Sequence, residues 1–275
     1  MNRFVVTGTG RTGSATLGRA LGYHDNVAAG WEWAFKVPWS RRVEACRRGL
    51  RGDFSLLAAR ERAHIEAAVS VATAWLGYKG IFRTNDKWLV TPAAGATLFL
   101  DRFYETLRWW RSEPDIHVLH IVRTDNLAWL RSKFVATKLR SFGAGNRYPE
   151  DVSVEIPVRA AIKRVQMKVW LDEKLSELAR TNPYCLIRYE DLARDLDAVT
   201  ARAHRFLGLE PQIMPPERVL GRQSAGIPIE RHVRNYARLR DALSRASLLE
   251  APLPGSGRAP VSVSAPPARG SGMPD

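Results

Sequence analysis

Cysteine is almost absent: Cys46 and Cys185 are the only two among 275 residues. Two thiols cannot frame a disulfide-stapled fold and their spacing fits no zinc site, so no metal centre is expected and a reducing compartment is the natural setting. Long apolar runs are missing as well. No stretch approaches the roughly 18 apolar residues of a membrane span, and Met1 leads into a strand-like run without a charged-then-apolar leader. The expectation is a soluble, cytoplasmic protein with no stable membrane insertion. Acidic residues are few beside basic ones: 28 Asp and Glu face 42 Lys and Arg, for a formal charge of +14 and a pI near 10.3. Such a field attracts anions without saying which. The arginines are scattered through helical stretches ("SRRVEACRRGLRG", "RLRDALSR") and form no stripe interleaved with exposed aromatics. Nucleic acid is therefore not the expected partner, although a basic nucleic-acid-binding module stays an alternative.

What is present reads as one α/β core. The length suits a single large domain with insertions. "RFVVTG" (3–8) is a short β-branched strand, and Ser14 to Leu21 a helix behind a glycine-marked join. "IHVLHIVR" (116–123) is a second strand, with "TDN" as a cap and Leu127, Leu130 and Phe134 at helical spacing. "YCLIRY" (184–189) is a third, followed by the acidic helix start "EDLARD". Strands alternating with helices predict a mostly parallel sheet flanked by helices. Helical packing elements are expected near 54–76, 95–112 and 158–180. In 250–275, 14 of 26 residues are Pro, Gly or Ser, which predicts a disordered tail behind a domain spanning 1–249.

The loop "GTGRTGSATL" carries the first chemistry. Gly8, Gly10 and Gly13 have dinucleotide-fingerprint spacing, but a Rossmann site also wants an acid ending a second strand about 20 residues on, and neither Asp25 nor Glu32 plainly does. As a Walker loop it lacks the lysine after Gly13, where Ser14 stands; a P-loop nucleotide kinase remains an alternative. A third reading keeps the physics. Consecutive backbone N–H groups, a helix N-terminus, the hydroxyls of Thr12, Ser14 and Thr16, and the cation Arg11 form a cradle for one phosphate. Arg123, at the end of its strand, points into the same crevice, and Ser132 lies nine residues on in the following helix. Two such cradles suit a nucleotide bearing separate 5′ and 3′ phosphates.

In these segments the chain resembles the sulfotransferases. "GTGRTGSATL" is similar to their 5′-phosphosulfate loop, "HIVRTDNLAWLRSKFVATK" to their 3′-phosphate segment, "LIRYEDLARDLDAVTARAHRFLGL" to a later strand and helix, and "IERHVRNYARLRDAL" to the closing helix. The step from Arg123 to Ser132 resembles bacterial carbohydrate sulfotransferases of the trehalose 2-sulfotransferase and nodulation types. The resemblance implies a P-loop-like fold and 3′-phosphoadenosine 5′-phosphosulfate as sulfuryl donor. It implies that Arg11 stabilises the bridging oxygen, and that Gly10, Arg11, Thr12, Gly13, Ser14, Ala15 and Thr16 hold the 5′-phosphate. Arg123 and Ser132 would hold the 3′-phosphate. Relatives carry a second hydroxyl where Ala15 stands, which leaves the loop register open by one residue.

The carbohydrate relatives use a glutamate base after the second short strand, which falls on Glu32 in "HDNVAAGWEWAFKV". Trp31, Trp33, Phe35 and Trp39 surround it in sequence; apolar rings raise a carboxyl pKa and offer flat faces to an acceptor. His24 is the reserve base. Lys79 in "LGYKG" matches a lysine near the acceptor in relatives, and Arg222 lies where the family closes over the nucleotide. The implied partner is a small-molecule hydroxyl acceptor on a sugar, glycolipid or secondary metabolite; a dimer is compatible with the sequence.

Overall fold

The computed structural model describes residues 2–30, 75–82, 100–141, 147–219 and 226–254, with isolated positions between 44 and 66. The chain alternates strand and helix. In order it forms β1 (Asn2–Thr9), α1 (Ser14–Leu21), β2 (Val27–Gly30), β3 (Trp75–Phe82), α2 (Leu100–Arg111), β4 (Ile116–Val122), α3 (Asn126–Lys138) and α4 (Val158–Ser176). Then come β5 (Tyr184–Arg188), α5 (Tyr189–Arg194), α6 (Leu196–Phe206), α7 (Ile229–His232) and α8 (Tyr236–Arg245).

The five strands are parallel and run β2-β3-β1-β4-β5 across the sheet. Helices cover both faces, as a parallel sheet requires. Phe4, Val6, Leu119 and Ile121 pack on one side with Leu17 and Leu21 of α1, Leu192 of α5, and Val199 and Ala203 of α6. Burial of Leu17 and Leu21, both 0% exposed, stabilises the α1 face by roughly 1.5–3 kcal/mol each. Side chains alternate along a strand, so Val118 and His120 face the other way, toward α4 (which contacts β1 and β4). Beyond α4, Trp129, Leu130 and Val135 of α3, Val165 and Val169 of α4, and Leu239 and Leu243 of α8 form a second core.

The strand order decides where a ligand can bind. From β1 the chain crosses to β2 on one side, and from β4 to β5 on the other, so the β1/β4 boundary is the topological switch point. There the connecting loops diverge and leave a crevice at the carboxyl ends. Gly8 is level with Ile121, so the loop after β1 and Arg123 leave the sheet side by side, one strand spacing of about 4.8 Å apart.

Two expectations are corrected. Residues 75–82, whose first two fell within an expected helix, form β3, a central strand between β2 and β1. Two internal glycines in "WLGYKGIF" weaken its periodicity, and pairing on both edges supplies what local propensity does not. The packed fold also runs past residue 249: Glu250 bridges to Asp125, and the Ala251 amide donates to the Thr124 carbonyl at 2.9 Å. Most of the expected tail, from residue 255, lies outside the described residues.

Candidate functional site

The loop between β1 and α1 is made possible by glycine at two points. At Gly8, φ is +149° and a Cβ would stand 2.3 Å from the Ile121 carbonyl oxygen, so even alanine would push β1 away from β4. Gly13, at φ +81°, caps α1 without a side-chain hydrogen bond, and its carbonyl accepts from Leu17 N–H at 3.0 Å. Helical bonding therefore starts at Gly13. Ser14, Ala15 and Thr16 are the first three helical residues, and their N–H groups have no carbonyl four residues back to reach within the helix. Free amides at the positive end of a helix are a geometry suited to an anion, and Ala15 offers its N–H as well as a serine would.

Other groups set the loop's shape. The Thr12 hydroxyl is fully buried and donates to the Thr9 carbonyl at 2.8 Å, so it staples the loop closed. Trp129 Nε1 donates to the Gly10 carbonyl at 2.9 Å. Arg11 has φ +74°, a conformation that costs a non-glycine residue about 1–2 kcal/mol. Its carbonyl accepts from Arg123 Nη1 at 3.3 Å.

The two expected phosphate cradles touch. Arg11 Nε donates to Ser132 Oγ at 3.1 Å, and Arg11 Nη2 to the Tyr148 hydroxyl at 2.7 Å, which itself donates to the Ser132 carbonyl at 3.1 Å. Arg11 thus reaches across the crevice to α3 and joins the two halves. Tyr148 is buried and packs edge-on against His232, whose Nε2 lies 3.0 Å from the Pro149 carbonyl.

Arg123 is 6% exposed, and its guanidinium lies 4.3 Å from the centre of the Tyr189 ring. Its Nε is buried without a hydrogen-bond partner. Burial pushes the guanidinium pKa down; Tyr189, Asp125 and Glu190 pull it up, and Arg11 adds to the lowering. A buried cation with a donor to spare is a grip made for an incoming anion. The turn after it is fixed by Glu190 Oε1, which accepts from the Thr124 and Asp125 amides at 2.9 and 3.1 Å. Asp125 then caps α3 by accepting from Ala128 N–H at 2.8 Å.

Gly10, Arg11, Gly13, Ser14, Ala15, Thr16, Arg123 and Ser132 therefore lie together at the switch point. His24 does not join them. It precedes β2, at the amino-terminal edge of a parallel sheet whose carboxyl edge carries the loop. Its Nδ1 accepts from Asn26 N–H at 3.0 Å, its Nε2 faces the Glu210 carbonyl at 3.1 Å, and its ring packs on His204. This is a structural histidine, and the reserve base is withdrawn. Glu32 and Arg222 lie outside the described residues, as does the side chain of Lys79, whose backbone belongs to β3.

Sequence reasoning missed Tyr148, Tyr189, Glu190, Trp129 and Arg131. "IRYEDL" reads as an ordinary helix start, yet its Tyr189 lies under Arg123 and its Glu190 holds the turn. Arg131 is buried and donates to the Ile227 carbonyl at 2.7 Å, anchoring the segment that follows Arg222. A lone tyrosine in a polar loop, such as Tyr148, carries no local signal.

Fold and site together define an α/β protein with a glycine loop and an adjacent buried arginine at the carboxyl edge of a parallel sheet. Residues 3–212 match the family model described as the sulfotransferase family. The chain belongs to that family and is a sulfotransferase enzyme, whose members generally take the sulfuryl group from 3′-phosphoadenosine 5′-phosphosulfate. A comparison with curated proteins gave no match. Among solved structures, a sulfotransferase from Alicyclobacillus acidocaldarius aligns over 90% of this chain and 95% of its own, at 15% identity and a TM-score of 0.44. The sulfotransferase domain of the Synechococcus PCC 7002 olefin synthase aligns over 97% and 90%, at 16% identity and 0.44. That from the curacin biosynthetic pathway aligns over 92% and 93%, at 13% identity and 0.42. No described helix is long and apolar enough to cross a membrane, and no described group of His, Cys, Asp and Glu could hold a metal ion.

Proposed function

We propose that the protein transfers the sulfuryl group of 3′-phosphoadenosine 5′-phosphosulfate to a hydroxyl of a small carbohydrate, glycolipid or secondary-metabolite acceptor. The 5′-phosphate is held by the amides of the Gly10–Thr16 loop with Arg11, and the 3′-phosphate by Arg123 and Ser132. The observation that carries the reading is the Arg11 fork on Ser132 and Tyr148, because it makes the two cradles one site. The buried, under-bonded Arg123 supports it further. In the transfer, a bond forms between the acceptor oxygen and sulfur while the bond from sulfur to the bridging oxygen breaks. The acceptor proton goes to Glu32, and the charge left on the departing phosphate is neutralised by Arg11 and the helix N-terminus. The family resemblance adds Arg222 to the residues assigned to the nucleotide.

The carbohydrate class is the reading that the Arg123 to Ser132 spacing favours. The test of the donor assignment is calorimetric binding of adenosine 3′,5′-bisphosphate against AMP. The bisphosphate should bind at least about tenfold more tightly, since each charge-assisted hydrogen bond to its second phosphate contributes about 1.5–3 kcal/mol. Equal affinities would remove Arg123 and Ser132 from the site. Transfer of labelled sulfate into sugar, glycolipid and metabolite fractions would then identify the acceptor. In that assay Glu32→Gln should lose turnover while keeping bisphosphate affinity; unchanged turnover would remove Glu32 as base.

A further inference from the structure

Behind the phosphate loop lies a cluster of buried titratable side chains with no part in the transfer outlined above. Lys168 and Asp172, one turn apart on α4, are 0% and 2% exposed, with Nζ and Oδ2 3.2 Å apart. The His120 ring, fully buried on the β4 face that looks toward α4, lies between Asp172 and Tyr184: its Nε2 is 3.5 Å from Asp172 Oδ1 and its Nδ1 is 2.6 Å from the Tyr184 hydroxyl. Burial, with the charge of Asp172 behind it, pushes the Tyr184 phenol far above its ordinary range. It keeps its hydrogen and donates it to Nδ1, while His120 Nε2 and Asp172 Oδ1 approach each other without a hydrogen bond. The cluster thus holds two hydrogen-bonded pairs, Tyr184 with His120 and Lys168 with Asp172.

A buried ion pair is a poor device for stability, because desolvating both charges offsets their attraction. Its place here suggests another use. Lys168 Nζ lies 5.9 Å from the centre of the Trp129 ring, within cation–π range. Trp129, 1% exposed, donates its indole N–H to the Gly10 carbonyl. In a trans peptide the C=O and the next N–H share one plane and point in opposite directions. Holding the Gly10 carbonyl toward Trp129 therefore turns the Arg11 N–H outward, onto the side of the loop that faces away from α3.

We infer that Lys168 is a positioning residue for the sulfuryl donor: fixed by Asp172, it sets Trp129, and Trp129 sets the Gly10–Arg11 peptide that presents an amide to the donor's phosphate. The inference rests on reading the Gly10–Thr16 loop as a phosphate site. Lys133, whose Nζ is 5.1 Å from the same ring, sits on α3 itself.

The test uses full-length protein, Trp129→Phe, and the paired replacement K168M/D172N, which removes the ion pair without leaving an orphan charge. Hydrogen exchange of segment 10–16 is followed in the free protein, and adenosine 3′,5′-bisphosphate affinity by calorimetry. K168M/D172N should speed exchange in that segment and weaken the bisphosphate by about three- to tenfold, the worth of one hydrogen bond. Combined with Trp129→Phe it should cost nothing further, since both act on one peptide. Unchanged exchange in segment 10–16, or losses that multiply in the combined variant, would overturn the inference; a purely structural pair would lower the melting temperature and leave that segment untouched. If the parent protein prefers the bisphosphate no more than AMP, the donor assignment fails, while the exchange result still decides the linkage.

Discussion

Replacing Arg123 by methionine should harm binding and spare the fold, and the two effects can be measured apart. The guanidinium is 6% exposed, its hydrogen bond to the Arg11 carbonyl is long at 3.3 Å, its Nε has no partner, and it forms no ion pair with a carboxylate among the described residues. Further support comes from the face of Tyr189 at 4.3 Å and from the charges of Asp125 and Glu190. Methionine keeps an unbranched apolar stem in the same space, and Glu190 keeps the two amides it already accepts. Exchanging a poorly compensated buried charge for an apolar group is neutral or stabilising by about 1–4 kcal/mol. For a chain of this size that is a rise of up to about 10 °C in melting temperature without nucleotide. Losing a forked grip on a phosphate should cost about 3–4 kcal/mol, a factor of roughly 10²–10³ in bisphosphate affinity, while AMP affinity stays within about threefold. Scanning calorimetry supplies the first number and titration calorimetry with both nucleotides the second. A melting temperature several degrees below the parent, or a bisphosphate preference that survives, would refute the reasoning.

Ser132→Ala should reduce the preference for bisphosphate over AMP by about three- to tenfold, read in the same titrations, with a smaller loss than Arg123→Met. Gly13→Ala should lower the melting temperature, because the added Cβ meets Leu192 Cδ2 at 2.9 Å and Tyr189 Cδ2 at 3.0 Å at a left-handed φ of +81°; a cost of about 2–4 kcal/mol is expected from strain and contact together. Burial, with His24 beside it, lowers the His204 pKa to about 4. The fold therefore favours the neutral ring: this contribution is complete above the unfolded value near 6.5 and is lost as pH falls from there to about 4. His204→Gln should flatten stability over that window, by at most about 3 kcal/mol, in urea melts at pH 7 and pH 4. At Glu113 burial acts to raise the carboxyl, but hydrogen bonds from Arg3 and Arg51 outweigh it and hold the pKa below its ordinary 4.5. Stability from this cluster is present above pH 4.5 and is lost as pH falls through the lowered value; Glu113→Gln should remove that acid-side slope.

The parts of the fold written in local pattern were legible: α1 begins and ends at Ser14 and Leu21 as its spacing predicts, and β4 and β5 match within a residue or two. Strand β3 was not legible, because its glycines break the period and its pairing partners are distant in sequence. The loop after β1 and the Arg123–Ser132 segment could be singled out because each is a short contiguous motif. Tyr148, Trp129 and Tyr189 could not: each acts on Arg11, Gly10 or Arg123 across 66 to 137 positions of chain, and only folding makes them neighbours. His24 shows the opposite error. It lies close to the loop in sequence and on the far edge of the sheet in space.

The ring of Tyr189 stands between two things the sequence keeps far apart: it touches the space beside Gly13 at the head of α1 and lies against the guanidinium of Arg123. An aromatic ring neither stretches nor folds, so in the proposed donor site it acts as a gauge block between the two phosphate grips. A nucleotide carrying its second phosphate on the neighbouring 2′ oxygen offers the same charge at a different interval. Selectivity between such isomers would then be a matter of length set by one side chain, and the smaller Tyr189→Leu would blur it while leaving every phosphate ligand in place.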